Sequence, residues 1–404
     1  MAETIGKTWR EIAMGFLKVG ATAYGGPAIM GVMQAEFQER RQWTSKAHFL
    51  EGLAVVNVLP GATATQLGIF LGYARGGWWG GLLAGLCFAA PAFAVMVGLA
   101  MAYGALGVAP IVRGALYGLG PVVVAIFVAA LVRLARSGIR SRIQAAIAVG
   151  AAITAMVTLL GPAPILLLAA AVGLMLFHHK GVGAFTVAGL LIAMIIAPYS
   201  SWWTLAVPAT TVHEPTLGRV AALFAGIGAL TFGGGLTMIA LMQEHVVERL
   251  QWLTPREFVD GLALGQLTPG PVLMLAAYVG YKVLGIGGAV VAAGASFLPS
   301  FVLMLGLLPV FERVRTLDWA RAAMQGVVPA VIGVMAIALV RLVPYAAPDP
   351  LAWVLLVVAT VALLRWRPAP LKAMLGGSIV GSMRDRLCEL PSIRALLCSA
   401  GWGR

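Results

Sequence analysis

Tyr24-Gly25-Gly26-Pro27 interrupts one long apolar stretch, and Phe232-Gly233-Gly234-Gly235 interrupts another about 208 residues later. The flanks return with them, since Phe16, Gly20 and Met30 reappear as Phe224, Gly228 and Met238. After a one-residue slip, Glu39-Arg40-Arg41-Gln42-Trp43 returns as Glu248-Arg249-Leu250-Gln251-Trp252, and Leu59-Pro60-Gly61 as Thr268-Pro269-Gly270. Past Phe88 and Phe297 the slip reads as reversing, so that Pro91, Arg113, Gly118 and Pro121 match Pro299, Arg321, Gly326 and Pro329. A duplicated polytopic unit with Gly/Pro interruptions at matched places is the signature of a secondary transporter, with the substrate site where the copies meet.

Composition puts the chain in a bilayer. Hydrophobic residues make up 60% and charged residues 11%, whereas a soluble domain is usually about a quarter charged. The 50 glycines and 22 prolines fall inside apolar runs, where membrane helices tolerate them if neighbours satisfy the freed backbone groups. A net charge of +13 does not indicate nucleic acid, because the basic residues sit between apolar segments and form no patch or tail. The first sixteen residues lack the pattern of a removable signal peptide, which predicts a retained N-terminus. Cys87, Cys388 and Cys398 form no CxxC pair, and the five histidines show no metal-ligand spacing. Neither a metal nor a cofactor is expected.

Crossing a bilayer as helix takes about 20 apolar residues. Candidate spans lie near 11–34, 50–74, 78–103, 112–135, 142–160, 163–178, 183–198, 217–242, 259–283, 285–310, 320–343 and 350–366, with a weaker thirteenth at 369–383. With the N-terminus in the cytoplasm and twelve crossings, 20 Lys and Arg fall on the cytoplasmic side and seven on the other, as the positive-inside rule requires. A crossing at 369–383 weakens the split to 16 against 11. The fold expected is an all-α polytopic membrane protein built from two homologous repeats with broken helices. The units are an N-terminal repeat (1–141), linking transmembrane helices (142–215), a C-terminal repeat (216–343) and a terminal helix or helices with a polar tail (344–404). Seven segments separate the starts of the copies, so the reading taken is an inverted repeat. Re-entrant hairpins at 50–74 and 259–283 would leave six crossings between the copies and turn it parallel.

Each interruption predicts a half-helix starting in mid-membrane, because proline lacks an amide donor and glycine permits sharp breaks. The amides and dipole at such a start favour an anion. The first break supplies Gly25, Gly26 and Pro27 with Gly233, Gly234 and Gly235. The second supplies Asn57, Pro60, Gly61, Thr63 and Gln66 with Gln266, Thr268, Pro269, Gly270 and Pro271. Thr268 reads as an N-cap and Pro269 as the first helical residue. The side chains add neutral donors around a tetrahedral oxyanion. Packing explains any single Gly/Pro break equally well; recurrence of both breaks in both copies favours a shared site.

Arg75, Arg113, Lys282 and Arg321 are candidates for attracting an anion, set against a plain role as helix-end anchors. Glu51 and Asp260 stand at matching positions and are candidates for carrying a coupling proton. The competing role for both is dipole complementation near a first helical turn.

These motifs together resemble the chromate ion transporter family in its long two-domain form. The resemblance rests on Phe16-Leu17-Lys18-Val19-Gly20, Tyr24-Gly25-Gly26-Pro27, Glu39-Arg40-Arg41-Gln42-Trp43, Leu59-Pro60-Gly61, Phe88-Ala89-Ala90-Pro91-Ala92-Phe93 and the second-copy equivalents through Pro299-Ser300-Phe301. It covers 16–134 and 224–342 and implies a chromate transporter of the bacterial inner membrane, with opposed domains, chromate resistance by efflux and sulfate as competitor. The family's Pro-Gly-Pro stands at Pro269-Gly270-Pro271 but reads Pro60-Gly61-Ala62 in the first copy, and Gly-Gly-Pro becomes Gly233-Gly234-Gly235 in the second. The halves are therefore expected to bind unequally. Membrane lipids are expected partners, nucleic acid is not, and a homodimer stays open.

Alternating-access export of a dianion follows as the leading reading. An uptake permease for sulfate or another oxyanion is the first alternative, and an intramembrane enzyme acting on lipid-linked phosphates the second. The sequence shows no GxxxxGK[ST] loop for ATP and no carboxylate cluster or nucleophile-base pair for an enzyme.

Overall fold

The computed structural model describes residues 2–24, 26–57, 59–106, 109–158, 160–178, 181, 186–189, 214–232, 235–310, 318–366 and 368–388. Gly25, Gly233 and Gly234, most of the predicted segment 183–198 and the tail 389–404 lie outside them. Among the described residues the protein is helical, without strands. The first copy comprises α1 (Ala2–Thr22), α2 (Gly26–Met33) running on into the π-helix Gln34–Arg40, α3 (Lys46–Val56), α4 (Thr63–Leu106) and α5 (Pro110–Gly138). Two shorter helices follow, α6 (Arg142–Val157) and α7 (Pro162–Phe177). The second copy comprises α8 (Leu217–Ala229), α9 (Leu236–Met242) with the π-helix Gln243–Arg249, α10 (Pro255–Leu267), α11 (Leu275–Leu307) and α12 (Asp318–Ala346). It ends with α13 (Pro350–Arg365) and α14 (Pro370–Cys388).

Short polar residues start these helices where the sequence offers an acceptor. Ser45, Ser141, Thr216 and Asp349 each accept an amide N–H from the first turn of the following helix, and Thr254 forms a full capping box with Glu257. Among the described residues, four helices are long and apolar enough to cross a membrane. Large apolar side chains such as Leu86, Val302, Val340, Val357 and Ile379 are exposed on the outer faces, where only lipid would accept them. The chain is a multi-pass membrane protein.

The breaks reverse the chain, which corrects the expectation that 11–34, 50–74 and 259–283 each cross. Phe16 of α1 stacks on Phe37 at 4.3 Å, and Arg41 Nη1 donates to the Glu11 carbonyl at 3.2 Å. The rings of His48, in the first turn of α3, and Phe70 of α4 lie 5.0 Å apart. A continuous helix would hold them about 33 Å apart at 1.5 Å per residue. In the second copy Lys282 Nζ lies 2.8 Å from Glu257 at the start of α10, and the Tyr278 hydroxyl donates to the Glu257 carbonyl at 3.0 Å. The physical reason is length. At 11 residues, α3 covers about 17 Å, roughly half the hydrocarbon core, so the limb after the break returns to the face it left.

After each second hairpin the chain turns a tight corner, at Gly76-Gly77 in α4 and Leu284-Gly285 in α11, with nearly identical backbone angles. The long limbs, 78–106 and 286–307, then cross. Gly20 packs on Phe88 and Gly228 on Ser296, while Gly52 faces Phe70 and Gly261 faces Tyr278. The 208-residue spacing is therefore restored by Phe70 and Tyr278, earlier than the sequence identities place it. Gly81 meets Leu305 and Gly85 meets Phe301, so the two long limbs run antiparallel against each other.

The spacing of 208 extends past α5 and α12. The bounds of α6 recur as those of α13, and Pro162 opening α7 recurs as Pro370 opening α14. Each pair packs on the other copy. Gly173 of α7 and Ala148 of α6 press on Gly326 and Gly333 of α12, and Gly377 and Gly381 of α14 press on Gly118 of α5. The segment 369–383 is thus part of a helix lying along α5.

A Cβ at Gly326 would meet the Ala169 carbonyl oxygen and the Gly173 backbone, which no rotamer change relieves. Gly326→Leu is expected to destabilise the protein by about 3 kcal/mol, read as a lower midpoint in thermal unfolding of the detergent-solubilised chain. Gly294→Leu, whose Cβ meets nothing within 4 Å, should leave the midpoint unchanged.

Candidate functional site

The hairpin tips of the two copies are bound to each other. The Gly61 amide donates to the Thr231 carbonyl at 2.7 Å, and the Gly270 amide donates to the Ala23 carbonyl at 2.8 Å. Ala23 and Thr231 are equivalent, as are Gly61 and Gly270, so the contact is reciprocal in the way of a two-fold interface. Gly61 and Gly270 adopt φ of +122° and +100°, a conformation that disfavours any side chain. That turn aims each amide across the copy boundary.

Four helix starts converge on this contact. A cavity of about 20 Å³ is lined by Ile29 in the first turn of α2, by Ala62, Thr63 and Ala64 at the start of α4, by Thr231 and Gly235 before α9, and by Pro271, Val272 and Leu273 before α11. It has room for about one water. Each N-terminus carries roughly half an elementary positive charge, so four facing one point supply about the charge that a dianion needs. The site is polar without cations: Thr63, Thr65, Gln66 and Thr268 are buried. Gln66 Nε2 donates to the Pro60 carbonyl at 2.7 Å, while Gln66 Oε1 and Thr65 Oγ1 have no partner. Buried acceptors and hydroxyls without partners are uncommon in native proteins and mark places where a ligand or water belongs.

The structure sorts the sequence candidates. Gly61, Thr63, Gly235, Gly270 and Pro271 join the tip contact or line its cavity. Gly26 and Pro27 open α2, and Pro60 and Gln66 hold the first-copy tip. Thr268 is the C-cap of α10, and its hydroxyl donates to the Leu264 carbonyl at 2.8 Å. This corrects the reading of Thr268 as an N-cap with Pro269 in first helical position: Gly270 and the extended Pro271 keep the chain out of helix until Val272. Asn57 caps α3 from an exposed position, with Nδ2 donating to the Leu53 carbonyl at 2.7 Å. Gln266 is half-buried near the end of α10 and does not line the cavity.

None of the four basic candidates lines the cavity. Arg75 lies 3.0 Å from Glu11, and Lys282 lies 2.8 Å from Glu257 and over the Tyr103 ring. Arg75 is about 18 Å along α4 from Thr63. Arg113 is exposed in the first turn of α5, and Arg321 is exposed 3.9 Å from Asp318. Of the acidic pair, Glu51 lies 3.3 Å from His48 Nδ1 in a partly exposed setting. Asp260 is buried, accepts from the Tyr103 hydroxyl of α4 at 3.0 Å and lies 3.3 Å from Arg256 Nε.

Three contributors escaped the sequence reading. Ala23 and Thr231 act through backbone carbonyls, which composition does not reveal. Ser300 accepts the Ala62 amide through Oγ at 2.8 Å; its equivalent is Ala92, which presses on Gly270 without a hydroxyl. The 208-residue spacing was the available signal for Ala23 and Thr231.

Known proteins match over this whole arrangement. The family model described as Chromate transporter matches residues 10–175 and 218–382, which takes in α6, α13 and most of α7 and α14. A chromate transport protein of Cupriavidus metallidurans is 31% identical over 359 residues, 88% of each chain. A probable chromate transport protein of Synechococcus elongatus is 32% identical, over 82% of this chain and 84% of the relative. A chromate transport protein of Pseudomonas aeruginosa is 32% identical, over 79% and 77%. No solved structure matches the chain.

Proposed function

We propose, from the premise that this chain belongs to the chromate transporter family, that it exports chromate across the bacterial inner membrane by alternating access around the paired hairpin tips. The chain is a transporter and not an enzyme. The observation that carries the reading is the convergence of four helix starts, two from each copy, on one enclosed point without a cation. A dianion is matched there by dipoles and neutral donors that it can leave again, whereas a buried arginine would hold it. Sulfate has the same shape and charge and is the expected competitor. Export runs down an inside-negative potential, each charge contributing about 2.3 kcal/mol per 100 mV, so no ATP site is required.

In this reading the repeat units are 10–177 and 218–385, and they are inverted across the membrane. The antiparallel long limbs of α4 and α11 support inversion. With 11–34 as well as 50–74 folded back, five crossings separate the copies: 78–106, α5, α6, α7 and the predicted segment 183–198. Five is odd, so the second copy enters from the opposite face. The 20 Å³ cavity is smaller than a tetrahedral oxyanion, and transport requires the tips to part. Asp260, held between Arg256 and the first copy's Tyr103, remains the better placed of the two coupling candidates.

Proteoliposomes with the chain in known orientation test the reading. Labelled chromate should leave the negative compartment and be slowed by sulfate. Inward sulfate flux alone would assign an uptake permease, and phosphate release from a lipid-linked substrate without flux of either anion would assign an enzyme.

A further inference from the structure

A second cavity lies on the same route. Of about 630 Å³, it opens between the π-helix Gln243–Arg249, the corner joining α6 to α7, and the last third of α12. Its innermost lining residue on α9 is Ala240, about 6 Å along the helix from Leu236, so it leads from the second copy's face toward the hairpin tips. Its walls carry Glu244 paired with Arg249 at 2.5 Å and Glu248 paired with Arg341 at 2.9 Å. Arg341 Nη2 also donates to the Ala155 carbonyl at 2.9 Å.

Glu244 is held in an unusual setting. Its carboxylate presses on Gly161, the N-cap of α7, so that a side chain at 161 would displace it. The residue is 8% exposed, and Oε2 has no hydrogen-bond partner; Gln243 beside it is 4% exposed with an unpartnered Oε1. Two polar side chains, each with a buried oxygen that has no partner, thus line a cavity at the start of a 16-residue helix. The other groups facing Glu244 are His245 at 4.0 Å and Glu248 on its own π-turn and Arg341 from α12, while α7 offers only its uncharged first turn. His245 is half-buried, its Nδ1 donates to the Leu241 carbonyl at 2.9 Å, and desolvation pushes its pKa down, which favours the neutral form.

We propose that this cavity is a second oxyanion site, and that a proton on Glu244 opens it to the anion. With Glu244 ionised, two arginines face two carboxylates and an anion finds no net attraction. With Glu244 protonated, Arg249 loses its counter-ion, the carboxyl hydroxyl becomes a donor, and the first turn of α7 faces the vacated space. Burial pushes the Glu244 carboxyl up to about 7, against the opposing pull of Arg249, so the change falls at physiological pH. Above about pH 7, linkage then requires each bound anion to bring up to one proton with it. The inference rests on the transport reading and adds an acid-switched waiting site to it.

Equilibrium binding of labelled sulfate to the full chain in lipid nanodiscs tests it, because the charge on sulfate stays constant between about pH 6 and about pH 8.5. The wild type should lose affinity about tenfold per pH unit above about pH 7. Glu244→Gln should bind at the acid-limb affinity throughout, and Glu248→Gln should keep the wild-type slope. If Glu244→Gln does not fold, sulfate added to the wild type in weak buffer near pH 8 should take up about one proton per anion. Binding without slope or proton uptake, in a chain that still moves chromate, overturns the switch alone. A wild type that neither binds nor moves chromate or sulfate at any pH overturns the transport reading and the switch with it.

Discussion

Gly270→Val is expected to cut chromate flux at least about 100-fold while the protein still folds and inserts. Gly270 sits at φ +100°, and a Cβ there would come within 2.8 Å of the Ala92 Cβ. Holding a β-branched residue in that conformation costs about 1–3 kcal/mol, and the overpacking a similar amount. The cheapest relief is to withdraw the tip, which breaks the amide bond to Ala23 and opens the junction between the copies. Flux of labelled chromate into proteoliposomes, beside a size-exclusion profile, measures both halves of the expectation. Flux within twofold of the wild type would remove the tip contact from the transport path.

Gln66→Glu is expected to have an effect of similar size by a different route. Gln66 is fully buried in the first turn of α4, its Nε2 spent on the Pro60 carbonyl. Glutamate removes that donor, sets an acceptor against an acceptor, and puts negative charge beside the point where four helix starts converge and where the proposed dianion would sit. An unpaired buried charge costs several kcal/mol, and the variant meets that cost by excluding the anion or by taking up a proton. Chromate flux should fall about 100-fold at neutral pH and recover toward that of Gln66→Met in acid, each compared with the wild type at the same pH. A variant that transports normally at neutral pH would show that the anion does not pass this turn.

The sequence disclosed where the chain breaks but not what it does after a break. Gly25-Gly26-Pro27 and Pro60-Gly61 mark their interruptions by chemistry alone, and the second copy confirms them by position. A helix that stops and resumes and one that stops and returns share that chemistry. Only tertiary contacts such as His48 on Phe70 separate them, and a 25-residue apolar stretch such as 50–74 satisfies the length rule for a crossing either way. The shared identities end near Leu134 and Leu342, so the recurrence of α6–α7 as α13–α14 stayed hidden. Those helices repeat through caps, N-terminal prolines and small packing residues, which different side chains supply equally well: Ser141 caps one copy and Asp349 the other. The tip contact proposed as the anion site is marked in the sequence by glycines and hydroxyls, whereas the carbonyls of Ala23 and Thr231 belong to the backbone and leave no compositional trace. The basic residues left two roles open for a general reason. Long cations near helix ends are conspicuous in apolar sequence, yet Arg75 and Lys282 sit beside carboxylates at hairpin mouths, where such pairs contribute about 0–1 kcal/mol.

The crossing over of α6–α7 onto α12 and of α13–α14 onto α5 ties the two halves like clasped hands. Neither half encloses its own interior, so a gene cut between residues 178 and 214 would yield fragments that become soluble in detergent only when made together. The same clasp decides what can move. A swing of α12 drags two helices encoded in the opposite half of the gene, and in the proposed alternating-access cycle the bodies that rock would therefore be mosaics of both repeats, with a seam that does not follow the seam of the duplication.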